Sequence, residues 1–288
     1  MVLQTISAIY TDLDANITVA NYPLASVAVG SLIYATDSGK LYVMSATLGP
    51  VPAGQSGVAY STAPSTDPSA VTSATVVALG LASGPGSTDL EPAGGVAYPV
   101  GTTVIAVNSA TSFFQGELIL IEGATATAEI CQIKSISGTN FTLQSPTLKA
   151  HADSGTVVGM YAGITPQRSG RLKITVSGTI VLGSAASTWT AQIYIGSAIT
   201  VAAPANATAF DASAVAVGNT QEAISGTGVL EFPYSQTVFL GANGNATDTA
   251  PSGGAARTVG TPYYVDVGVT SSTGTIQLIE PSIVIEEA

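Results

Sequence analysis

Residues 164–182 read ITPQRSGRLKITVSGTIVL and hold three of the chain's seven basic residues, Arg168, Arg171 and Lys173. Past the proline, Leu172, Ile174 and Val176 alternate with Arg171, Lys173, Thr175 and Ser177. Strand side chains point to opposite faces with period two, so this stretch predicts a strand with one face on a core and its charges on the other. Residues N-terminal to it read as a string of smaller pieces. Residues C-terminal to it read as one continuous β module.

Composition supports strands throughout. Hydrophobic residues are 46% of the 288, mostly Ala and Val, while charged residues are 9%, far below the roughly 25% of ordinary domains. Ser, Thr, Gly and Ala take the place of charge, which gives a neutral surface suited to lying against other protein. Thr and Val favour strands, and the 31 Gly and 15 Pro punctuate them. A net charge of −11 opposes nucleic-acid binding, which needs a basic footprint to displace counterions. The N-terminal stretch has no basic segment before an apolar run, and no apolar run is long enough to span a bilayer. Neither a secretory signal nor a membrane partner is expected.

Working outward, GSLIYATDSGKLYVMSA contains two strand-like runs, 32–36 and 40–45, around Asp37-Ser38-Gly39, a hairpin pattern in which Tyr34 and Tyr42 could pair. Residues 1–48 are therefore assigned to an N-terminal β-hairpin segment. Residues 49–95 hold six of the 15 prolines and read as a Pro/Ala/Ser-rich extended arm or linker. Within the arm, 74–81 (ATVVALGL) is apolar enough for a strand and has no nearby partner, so it is expected to join a neighbour's sheet or fill a crevice. Residues 96–162 form a small β domain with strands at 102–107, 117–122, 128–136, 140–143 and 156–160. Residues 163–288 form a C-terminal antiparallel β-sandwich, with strands at 172–182, 188–195, 228–232, 236–240, 263–270, 275–279 and 283–286. The fold class is all-β: an N-terminal hairpin and extended arm, a small β-barrel or sandwich, and a sandwich of jelly-roll or immunoglobulin-like type.

Chemistry-bearing residues are few. His151 is the single imidazole and sits in the polar stretch LKAHADSGT, where it reads as a turn residue. Cys131 is the single cysteine and reads as an inert core thiol. Asp12 and Asp14 are too isolated for a calcium loop. Glu286 and Glu287 are adjacent on a strand, so they point to opposite faces and cannot form a glycosidase pair. No catalytic residue, metal or cofactor is expected. Trp189, Tyr194, Tyr234, Tyr263 and Tyr264 are either sandwich core or a platform for a glycan or partner. Arg168, Arg171 and Lys173 are either a solvated strand face or an interface that meets acidic groups of a neighbour, such as the Glu286-Glu287 tail of another copy.

ITPQRSGRLKITVSGTI, then WTAQIYIG, then TPYYVDVGVTSSTGTIQLIEPSIVIEEA resembles a module of tailed-bacteriophage virion structural proteins. There an SGR strand opens a β-sandwich and an aromatic pair precedes a final strand ending in acid. Tyr194-Ile195-Gly196, Tyr263-Tyr264 and Glu286-Glu287 hold the matching positions, with Tyr264 where the family often has Trp. The middle unit is similar to small phage β domains at Thr103-Val104, Phe113, Gly116, Ile133, Gly138-Thr139, Pro146, His151 and Gly155, with Glu117 where Asp is frequent. GSLIYATDSGKLYVMS resembles hairpins near the starts of phage fibre and decoration proteins. The resemblance implies a non-enzymatic homotrimer located in the virion, at the capsid surface before the tail. There it would decorate or cement the shell, with the major capsid protein or other virion proteins as partners. Its alternative is a tail-fibre, baseplate or neck protein that binds host glycans.

Overall fold

The computed structural model describes residues 9–12, 16–17, 21–23, 26–27, 31–35, 41–45, 49–52, 59–60, 67–123, 125–166, 169–183, 188–197, 203–224, 230–241 and 254–287. These residues are all-β, with no α-helix among them.

The long alternating stretch forms β14 (Leu172–Leu182), which buries Leu172, Ile174, Val176, Ile180 and Leu182. It is the inner strand of a sheet, flanked by β17 (Leu230–Leu240) and β19 (Ile276–Glu287), with the short β5 (Ala59–Tyr60) beyond β19. The facing sheet runs in the order β13 (Gly163–Ile164), β18 (Tyr263–Ser271), β15 (Thr188–Ser197) and β16 (Val215–Ile224). Trp189, Ala191, Ile193 and Ile195 of β15 and Val265, Val267 and Val269 of β18 share one core with the inward residues of β14 and β19. First and last long strands are neighbours, as are β15 and β18, so the pairing is nested.

Pro233 and Pro281 each lie inside one continuous strand, where two shorter strands were expected on either side. Pro233 sits on the edge strand β17, where a missing N–H is tolerated. Pro281 sits in a bulge: Ser177 pairs Ser282 and Thr179 pairs Ile279, leaving Gly178 opposite Glu280 and Pro281.

The six-stranded sheet of the middle unit is ordered β7 (Ser83–Asp89), β12 (Thr156–Met160), β9 (Leu118–Ile121), β10 (Glu129–Ser137), β11 (Asn140–Leu143) and β8 (Val104–Ala106). A bridge between Leu90 and Val107 ties its two edges without closing a barrel. β9 is buried along its whole length because both its faces are covered. Ile119 and Ile121 pack with Phe113, Ile133 and Phe141, while Leu118 and Leu120 pack into the sandwich core with Ala128 and Met160. The unit and the sandwich therefore share apolar packing.

The arm corrects two expectations. β6 (Val77–Ala78) pairs β18 of its own chain, at Val269 and Gly268, so its partner is intramolecular rather than a neighbour's sheet. SGPGSTD, which reads as linker because of its Gly and Pro, forms β7 against β12. Near the N-terminus β1 (Ile9–Asp12), β2 (Leu32–Ala35), β3 (Leu41–Ser45) and β4 (Gly49–Pro52) make a separate sheet in that order, with β1 parallel to β2. β2 and β3 are the expected hairpin, but Tyr34 registers with Leu41 and Tyr42 with Ile33, so the tyrosines are not opposed. Asp37-Ser38-Gly39 lies outside the described residues.

Candidate functional site

The densest polar constellation is built where β9 ends and β10 begins. Glu122 closes β9 with φ of +52°, a conformation that strains a residue with a Cβ by roughly 1–3 kcal/mol. Its contacts hold it there. The backbone N–H donates to Thr156 O at 2.7 Å, Oε1 accepts the Ala152 N–H at 2.7 Å, and Oε2 accepts the Thr127 hydroxyl. A Cβ at Gly155 would come within 2.7 Å of Glu122 Cγ, which leaves room only for glycine.

Into this corner comes His151, 1% exposed. Its Nδ1 lies 3.1 Å from Glu122 Oε2 and its Nε2 lies 3.1 Å from Glu129 Oε1. Two carboxylate acceptors require both ring nitrogens to donate, so the ring is an imidazolium. Burial works to lower its pKa, but the hydrogen bonds and charges of Glu129 and Glu122 outweigh burial and hold it above the ordinary value. Glu122 is held below the usual carboxylate range: burial opposes this, and the bonds from Thr127, Ala152 and His151 prevail. Glu129 Oε2 also accepts the Leu148 N–H at 3.0 Å. Cys131 Sγ donates to Glu129 Oε1 at 3.4 Å, and burial beside that charge pushes the thiol well up. The turn residue expected at 151 is instead the centre of a buried ion cluster. Both nitrogens are committed, so what the cluster can do is hold protons and clasp the 147–152 segment onto two strand ends.

Lys149 extends this clasp toward the sandwich. Its Nζ donates to Ala128 O at 2.6 Å, Ala126 O at 3.2 Å and Gly260 O at 2.9 Å. Two buried carboxyls lie beside the segment that the arm supplies, and one of them, Asp266, bonds it. Glu117 Oε2 accepts the Phe114 N–H at 3.0 Å, while Oε1 has no partner among the described residues and faces Gly84, where a Cβ would sit 2.8 Å away. Burial raises its pKa to about 7, against the pull of the Phe114 bond. Asp266 of β18 is fully buried and accepts the N–H groups of Ala82 and Val267, with those of Leu81 and Gly80 also turned to it. Burial takes it to about 7 as well.

The expected interface residues come together within one chain. Lys173 Nζ donates to Glu286 Oε2 at 2.8 Å, and both side chains are about two-fifths exposed. Glu287 is buried and its Oε1 accepts the N–H groups of Ser169 at 2.6 Å and Gly170 at 2.8 Å. The acidic tail thus meets the basic stretch of its own copy, because antiparallel pairing of β14 with β19 sets Lys173 opposite Glu286. Arg171 is exposed, and Arg168 lies outside the described residues. Arg257, which the local pattern around 168–173 does not reveal, joins this end: its N–H donates to Gly170 O at 2.7 Å and its guanidinium lies 5.9 Å from the Tyr263 ring.

The aromatics do not make an exposed platform. Trp189 is core, 6.2 Å from Phe232, and Tyr234 and Tyr264 are core as well. Tyr264 donates to Asp211 Oδ2 at 2.5 Å. Tyr194 stacks on Phe210 at 4.3 Å, and Tyr263 accepts the Thr258 N–H. Among the described residues no three His, Cys, Asp or Glu side chains are grouped to hold a metal ion. Compared with protein-family models, with curated proteins and with solved structures, the chain matches none.

Proposed function

We propose that the chain is a non-enzymatic structural part of a tailed-phage virion, a decoration or cement protein that binds and stabilises the capsid shell through subunit contacts. The observation that carries the reading is strand addition by the arm. Two short segments, Ala59–Tyr60 and Val77–Ala78, lie on the edges of β19 and β18. Backbone pairing of this kind ties extended arms to sheets without demanding particular side chains. The neutral surface of Ser, Thr and Ala, with 9% charged residues overall, suits a protein whose neighbours are other subunits. The sequence resemblance to phage virion modules supplies the class.

Quantitative mass spectrometry of purified particles, with heads separated from tails, tests it. Many copies travelling with heads are expected. A few copies travelling with tails would replace shell decoration by a tail role, and absence from particles would overturn the reading.

A further inference from the structure

The outer face of the β17–β14–β19 sheet is a ladder whose rows are set by the register. They are Phe239–Lys173–Glu286, Thr237–Thr175–Val284, Ser235–Ser177–Ser282, Pro233–Thr179–Ile279 and Glu231–Val181–Gln277. The side chains do point outward. Thr175 and Thr237 hydroxyls are 3.2 Å apart, and Glu231, Pro233, Ser235, Thr237 and Phe239 are all exposed. Phe239 is 49% exposed, one of the few large apolar side chains left so open among the described residues.

Charge is divided along this face. Arg171 lies just beyond the first row, and in the row itself Lys173 is paired with Glu286 at 2.8 Å, which leaves this end with a net positive charge. At the other end stands Glu231 in the last row. The rows between are short and uncharged, and the one charge set among them is Glu280 in the bulge between the Ser177 and Thr179 rows, whose N–H donates to the exposed Asp67.

We propose that this face is a two-fold interface between two copies of the chain. A two-fold axis across the strands at the Ser177 row reverses the row order. It sets the Arg171/Lys173 end of one copy over the Glu231 end of the other, twice over, with the Ser/Thr rows in the middle. Such a contact is isologous, the commonest closed symmetry. A parallel stacking would instead put Lys173 over Lys173. Eleven residues by three strands span about 36 by 14 Å, so two copies cover about 1,000 Å², the lower bound of specific interfaces. Self-association is thus expected in the micromolar range. Register and charge carry the contact, independently of the virion reading. The implied trimer would use other surfaces.

Sedimentation equilibrium of the full chain, with three variants, tests it. The wild type is expected to dimerise. Ser235→Arg, mid-face and exposed, removes the dimer. Arg171→Glu and Glu231→Lys each weaken it by about a hundredfold, and the chain carrying both changes regains it, because the charges have exchanged ends. Unchanged thermal unfolding of each variant separates lost association from lost folding. A wild type that is monomeric up to about 100 µM, well above a micromolar Kd, overturns the proposal. So does an oligomer indifferent to Ser235→Arg, or a double variant no better than the single ones.

Discussion

Lys149 Nζ lies 2.9 Å from the carbonyl oxygen of Gly260 and 2.6 Å from that of Ala128, so one ammonium joins the middle unit to the loop that leads into β18. Burial lowers the Lys149 pKa, and the Glu129 charge offsets part of that. Lys149→Met keeps the aliphatic stem and removes the donors. It is expected to cost about 2 kcal/mol, the worth of a charged hydrogen bond. Urea unfolding reads the loss, and hydrogen exchange reads its place: the Gly260 amide, which donates to Pro166 O, should exchange faster than in the wild type while β15 stays protected.

His151→Ala should be more costly, because it leaves Glu122 and Glu129 as two buried carboxylates with no cation between them. Breaking a buried pair in this way costs roughly 3–5 kcal/mol. His151→Gln, which can donate to only one of the two, should fall between Ala and wild type. A loss below 1 kcal/mol for Ala, by denaturant unfolding near pH 6, would show the cluster contributes little.

The contrast between these residues and β14 explains how far the fold is legible in the sequence. β14 is legible to the residue because alternation is a local pattern, and its neutral neighbours carry the same period. β17 and β19 read in halves because a proline is locally a stop; an edge position and a bulge remove that stop only once the sheet exists. β7 is illegible because its glycines answer distant side chains: a Cβ at Gly84 would meet Glu117 and one at Gly86 would come within 2.7 Å of the Phe113 ring. His151 reads as a turn for the same reason. Its partners are 29 and 22 residues back along the chain, and no periodicity links them. The opposite charges of Lys173 and Glu286 suggest attraction between copies, where β-pairing supplies it within one.

Stability should peak on the acid side of neutrality. Glu117 and Asp266 titrate at about 7 in the folded chain against roughly 4 when unfolded. Their contribution is therefore fully present below about pH 4 and lost as pH rises through 7. His151, raised in the fold, has the same sign: its contribution is present below about pH 6.5 and lost as pH passes the folded value. Glu122 and Asp211 are lowered and act oppositely, losing their contribution as pH falls below the ordinary carboxylate range. The unfolding free energy should thus fall between pH 5.5 and pH 8, by about 2 kcal/mol for either raised carboxyl. Glu117→Gln and Asp266→Asn should each flatten that slope. A stability that climbs steadily from pH 5.5 to 8 would contradict the assignment.

Gly170 is where three distant segments meet, and it should tolerate nothing larger. Its φ is +66°, which a side chain would strain. Its N–H donates to the buried Glu287 at 2.8 Å, and its carbonyl accepts the Arg257 N–H at 2.7 Å. A Cβ at 170 would collide with the Arg257 carbonyl, a backbone atom that cannot swing away as a side chain does. Gly170→Ala must therefore push the 254–257 segment off the start of β14 or pull Gly170 from Glu287. Either loses a buried hydrogen bond on top of the conformational strain, so at least about 2 kcal/mol is expected. Ser169→Ala next door keeps the backbone donor to Glu287 and gives up a 3.5 Å hydroxyl contact to that carboxylate and a 3.1 Å bond from the Arg171 N–H. It should cost under about 1 kcal/mol. Denaturant unfolding of the two variants side by side decides the matter: equal losses would mean that the hydroxyl, not the backbone crossing at Gly170, secures the end of the sandwich.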